Sequence, residues 1–191
     1  IVIGLVFIHY PGISLWLALI ITSLVGLILG LINGFIVTRF NVHSIIVTLG
    51  TLSLYRGLVF IVSGGRQIDR NDIPEHIVLF SQTSFLFSIP AILIFSAVIV
   101  IITHILMRHS VLGREIYATG SNPVAAHLKG INVTKVTLFC FGVCGMLAGI
   151  AGLFYASRFG YVNPGVTGVG IEFIVIAGVI IGGTSITGGS G

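Results

Sequence analysis

Charge is the scarcest thing in this sequence. Asp, Glu, Lys and Arg make up only 7% of its 191 residues, against 55% that are hydrophobic. A soluble globular domain carries about 25% charged residues to coat its core. Such a composition excludes an ordinary water-soluble domain and points to lipid as the solvent, as does the mean hydropathy of +1.16. Cysteine is nearly absent. Cys140 and Cys144 lie i, i+4 inside an apolar run, which reads as two small core residues and leaves the redox compartment open.

Other absences narrow the function. There is no GxxxxGK[ST] phosphate loop, so the chain is not its own ATPase. The glycines at 165, 168 and 170 follow no strand and make no dinucleotide fingerprint, and the run 182–191 has no lysine. No Ser–His–Asp set or pair of neighbouring carboxylates suggests a membrane enzyme, and the histidines make no metal-ligand spacing. A net charge of +4 would suit nucleic acid in a soluble protein. In a membrane protein it marks cytoplasmic loops instead, and no nucleic-acid partner is expected.

What is present is length without charge. A spanning helix needs about 20 apolar residues to cross a hydrocarbon core about 30 Å thick. Segments 14–37, 45–62 (charged only at Arg56), 85–107 and 136–156 meet that need or nearly do. The stretch 1–8 reads as the tail of a helix, and 171–181 as a short re-entrant or protein-buried half-helix. The chain reads as a single transmembrane domain over 1–191, all-α and polytopic. Its opening without Met and its glycine-rich end give the expectation of a longer protein truncated at both ends.

If each span crosses once, Arg39, Arg108, Arg114, Lys129 and Lys135 fall on one side, with Arg66, Arg70 and Arg158 on the other. The positive-inside rule then places 108–135 in the cytoplasm and 63–84 outside. Gly26, Gly30 and Gly34 recur every fourth residue, as do Gly145 with Gly149 and Gly178 with Gly182. Such stripes let helices approach closely, in a translocation core or in ordinary packing.

The most informative stretch, 113–135, is too polar to span. Asn122 suits a helix N-cap and Pro123 the first helical position. A short helix over 124–129 follows, with Ala125 and Ala126 as a small, smooth face and Gly130 as its stop. The run Gly120-Ser121-Asn122-Pro123-Val124-Ala125-Ala126, followed by Gly130-Ile131, resembles the coupling loop of bacterial ABC sugar-importer permeases. The ribose, xylose, rhamnose and autoinducer-2 importers belong to that family. Asn33-Gly34 with Val37-Thr38, Thr48-Leu49-Gly50-Thr51 through Tyr55-Arg56-Gly57, and the stretch 182–191 fit the same pattern in the same order.

The resemblance implies a transmembrane helix bundle of the type II ABC importer permease kind, moving a small sugar or sugar-like solute by alternating access. It implies that Gly120, Asn122, Pro123, Ala125, Ala126, Gly130 and Ile131 couple to a separate ATP-binding subunit. This chain is expected to bind no cofactor, ATP being held by that partner. A second permease, identical or related, and an extracytoplasmic solute-binding protein complete the expected assembly. The mixed charges of the outer loop would orient that binding protein, or simply solvate the loop.

Ionisable or polar groups at membrane depth face a cavity or a partner. Asn33, Thr48, Thr51, Tyr55, Arg56 and Glu172 are accordingly the candidates for the solute path. Three of them carry a second reading: Asn33 satisfying a neighbouring helix, Arg56 snorkelling to the outer interface, and Glu172 placed for a helix N-terminus. The competing function is an ion-gradient-driven secondary transporter. It would need carboxylates in the membrane, where only Glu172 is available.

Overall fold

A computed structural model describes residues 2–10, 12–82, 84–85, 89–185 and 188–189. The long helices are α2 (Leu15–Phe40), α3 (Ser44–Ser63), α5 (Ala91–His109) and α8 (Val133–Phe159), each long and apolar enough to cross a membrane. Shorter helices are α1 (Val2–His9), α4 (Glu75–Gln82), α6 (Val111–Ser121), α7 (Pro123–Leu128) and α9 (Ile171–Ile181), with a 3₁₀ turn at Arg70–Asp72. Ser84–Phe85 and Ile89–Pro90 form a two-residue antiparallel pair, too small to alter the all-α class.

Three of the four spans match the sequence reading closely. The third starts late: 85–107 was expected, and the helix begins at Ala91. Pro90 is the cause. It occupies the N-cap with φ −59° and ψ 138°, and it disfavours helical backbone in the residue before it. Of the expected span, 86–88 lie outside the described residues, as does Ile1 of the first apolar stretch.

The central pair is α2 with α8, which run antiparallel. A side chain at Gly26 would strike the backbone of Gly145, one at Gly30 that of Phe141, and one at Gly34 the side chains of Phe141 and Leu138. Dispersion between close backbones therefore holds this pair, since lipid offers no hydrophobic drive between helices. The stripe at Gly178 and Gly182 differs, because no neighbour lies within 4 Å of a Cβ built at Gly178. In the 18-residue apolar window of each span no more than 17% is buried within this chain, so lipid or further protein covers most of its apolar flanks.

The densest core lies at one end of the bundle. Ile3 and Phe7 of α1, Ile68, Ile73, Ile77 and Val78 of the α3–α5 connection, and Leu153 and Ala156 of α8 pack together. Ser157 Oγ donates to the Ile77 carbonyl at 2.5 Å, and His76 Nε2 lies 2.9 Å from the Ile13 carbonyl. An antiparallel bridge joins Ile68 to Val162, with N–H···O distances of 3.0 and 2.9 Å. The connection expected as a charged loop is thus a packed cap. Arg66 and Asp72 form its surface ion pair at 3.1 Å.

Candidate functional site

Opposite the cap, α5 turns into α6 at Ser110, whose Oγ accepts from the Gly113 N–H at 3.0 Å. Sequence reading did not anticipate α6. The next helix is the expected short bar. Asn122 Oδ1 accepts from the Ala125 N–H at 3.0 Å, and Pro123 takes the first position, where no N–H is needed. At the far end Gly130 adopts φ +82°. Its N–H reaches the His127 carbonyl at 2.9 Å, and the Ile131 N–H reaches the Ala126 carbonyl at 3.1 Å. These two bonds make a Schellman stop. Asn132 then caps α8, its Oδ1 accepting from the Lys135 N–H at 3.0 Å. Every turn around α7 is therefore defined by a side chain or a glycine, which sets where the bar starts, where it stops and where α8 begins.

Its exposed face is the expected one only in part: Ala125 is exposed. Ala126 is turned inward, only 2% exposed, while Val124 and Leu128 stand 72% and 82% exposed. These two are four apart, on one helix face. Gly120 meets the far end of the chain: a Cβ there would lie 2.7 Å from the Gly189 nitrogen. The glycine-rich stretch after α9 thus touches the last turn of α6, directly before the bar. Residues 186, 187, 190 and 191 of that stretch lie outside the described residues.

Two cavities lie along α3 and α8. The first, of about 480 Å³, is lined by Asn33 and Thr48 with Gly26, Gly30, Cys144 and Gly149. The second, of about 650 Å³, is lined by Arg56, Tyr155, Asn163 and Thr167 with Ile171 and Val175. Tyr55 and Val59 border both, as do Ala148 and Gly152. The Tyr55 hydroxyl donates to Asn33 Oδ1 at 3.0 Å, with the Leu29 carbonyl 3.3 Å away.

Four of the six candidate path residues (Asn33, Thr48, Tyr55 and Arg56) are thus brought to these cavities. Thr51 is not among their linings; its hydroxyl donates back to the Val47 carbonyl at 3.0 Å. Glu172 lines neither cavity and sits in the first turn of α9, where the helix dipole favours a negative charge.

Over residues 2–189 the chain matches the family described as the branched-chain amino acid transport system / permease component. The chain belongs to this permease family. Among its relatives is the autoinducer 2 import system permease protein LsrC of Yersinia enterocolitica, 37% identical over 94% of this chain and 49% of that protein. The proteins of the same name from Yersinia pseudotuberculosis and Yersinia pestis are 36% identical, over 94% of this chain and 50% of theirs. The chain thus spans about half the length of the curated relatives it matches. No solved structure matches it.

Within this family of multi-pass membrane proteins, several residues at the two sites escaped sequence reading. Val124 and Leu128 carried a usable signal, an apolar i, i+4 pair inside a polar segment. Cys144, expected in the core, is exposed and lines the first cavity; nothing in the uncharged run 136–156 marks which face is open. Asn163 and Thr167 reach the second cavity on a turn that is pinned to the cap. Asn163 Nδ2 donates to Gln67 Oε1 at 3.0 Å, and the Asn163 N–H donates to Thr167 Oγ1 at 2.9 Å.

Proposed function

We propose that this chain is the membrane-spanning permease part of an ATP-binding-cassette importer for a small, oxygen-rich solute. The observation that carries the reading is α7, a bar capped at both ends that projects Val124 and Leu128 outward between α6 and α8. Exposed aliphatic side chains on a short polar segment suit insertion into a groove of another protein. On this reading α7 lies in the cytoplasm and docks on a separate ATP-binding subunit. Gly120, Asn122, Pro123, Ala125, Ala126, Gly130 and Ile131 shape the bar and its ends, while Val124 and Leu128 make the contact. ATP stays with the partner. The cap faces the opposite side and receives a solute-binding protein, and two permeases work as a pair. Autoinducer 2, named for the relatives, is the first solute to test.

An ion-gradient-driven transporter would need a titratable carboxylate along the path. No Asp or Glu lines either cavity among the described residues. Uptake into proteoliposomes holding the intact permease with its ATP-binding subunit separates the two mechanisms. Accumulation should require hydrolysable ATP and survive an ionophore. Uptake that proceeds without ATP and collapses with the ion gradient would overturn the assignment.

A further inference from the structure

Arg56 is the sole ionisable side chain among the described residues that line the second cavity, apart from the phenols of Tyr55 and Tyr155. It sits in α3, seven residues before Ser63 at the helix end, about 10 Å along the axis at 1.5 Å per residue. Among the described residues it has neither an ion pair nor a hydrogen bond. An arginine at membrane depth pairs, reaches water, or marks a ligand pathway. Here it shares its chamber with Asn163 and Thr167, whose turn is tied to the cap through Gln67 and through the Ile68–Val162 bridge. Among the described residues the guanidinium is therefore a set of unused donors at the wall of this cavity.

We propose that Arg56 is a specificity-determining residue of the solute path, donating in fork fashion to two neighbouring oxygens of the solute. This rests on the importer reading above and narrows its solute class. The planar guanidinium presents parallel N–H donors and has no acceptor. Its match is an oxygen pair, either the carboxylate of an amino acid or the vicinal oxygens of a polyol. A solute without such a pair leaves the charge unpaired. Tyr55, on the wall common to both chambers, stands next in sequence and next along the path.

The test uses the intact permease with its ATP-binding subunit and any required solute-binding protein, in proteoliposomes supplied with ATP. Initial uptake of autoinducer 2 (the polyol arm) and of leucine (the carboxylate arm) is measured against concentration for the parent, Arg56→Lys and Arg56→Gln. The arm that the parent transports identifies the oxygen pair. Losing a charge-assisted hydrogen bond is expected to raise the half-saturating concentration about ten- to a hundredfold in Arg56→Gln. Arg56→Lys, which keeps the charge but loses the fork, should fall between it and the parent, and maximal rates should stay comparable. Unchanged half-saturation in both variants would overturn the inference, as would a loss confined to maximal rate. ATPase activity of the reconstituted complex checks assembly, and Arg56→Lys keeps the test decisive should Arg56→Gln not assemble. ATP-dependent uptake of neither probe by the parent would sink the importer reading, and this inference with it.

Discussion

Replacing Gly145 with alanine tests the central helix pair most sharply. A Cβ at Gly145 would stand 2.9 Å from Gly30 Cα and 3.0 Å from Gly30 N, and would overlap the Gly26 carbonyl oxygen. Carbon atoms rest about 3.5 to 4.0 Å apart, so one methyl group must push α8 from α2 by more than half an ångström. Because the obstacle is backbone on both sides, no rotamer change relieves it. Overpacking of this sort costs about 1 to 3 kcal/mol. For a domain of this size that lowers a thermal midpoint by about 2 to 12 °C. The assay is thermal unfolding of the detergent-solubilised permease, with Gly178→Ala as the matched control. Nothing lies within 4 Å of a Cβ there, so alanine should be neutral or mildly favourable through helix propensity. If Gly145→Ala melts with the parent, or if Gly178→Ala loses as much, the backbone contact is not what holds α2 to α8.

Two further predictions concern the sites. Asn122→Ala removes the N-cap of α7 and should cost about 1 kcal/mol of local stability. The permease should stay folded while solute-stimulated ATP hydrolysis falls, whereas stimulation equal to the parent would mean that the bar needs no fixed start. Cys144 lines the first cavity and is exposed, while Cys140 is half-buried. A small thiol reagent should modify Cys144 first, and a transported solute should slow that reaction; preferential labelling of Cys140 would contradict the cavity assignment.

The spans were legible because length and absence of charge are one-dimensional properties. The short bar was legible because Asn122, Pro123 and Gly130 each do a local job that needs no distant partner. What sequence reading missed depends on contacts across the chain. The stretch around Ile68, Ile73 and Ile77 carries Arg66, Asp69, Arg70, Asp72 and Glu75, and those charges mask the apolar face that packs under the cap. Ala126 looked like part of a docking face, since small residues fit both a smooth surface and a tight interior; only the fold turns it inward. The partition of Thr48 from Thr51 has the same origin. Both hydroxyls donate back along α3, yet Thr48 borders a cavity, and three positions of helical rotation decide which one.

The most direct measurement is made on Leu128, 82% exposed on the outward side of α7. In the intact assembled transporter, Leu128→Cys should crosslink to the ATP-binding subunit with a short bifunctional reagent, and Leu128→Asp should abolish ATP-driven uptake while the protein still inserts in the membrane. If Leu128→Cys instead reacts with an impermeant reagent from outside the cell, or Leu128→Asp transports at the parental rate, α7 does not carry the ATPase stroke.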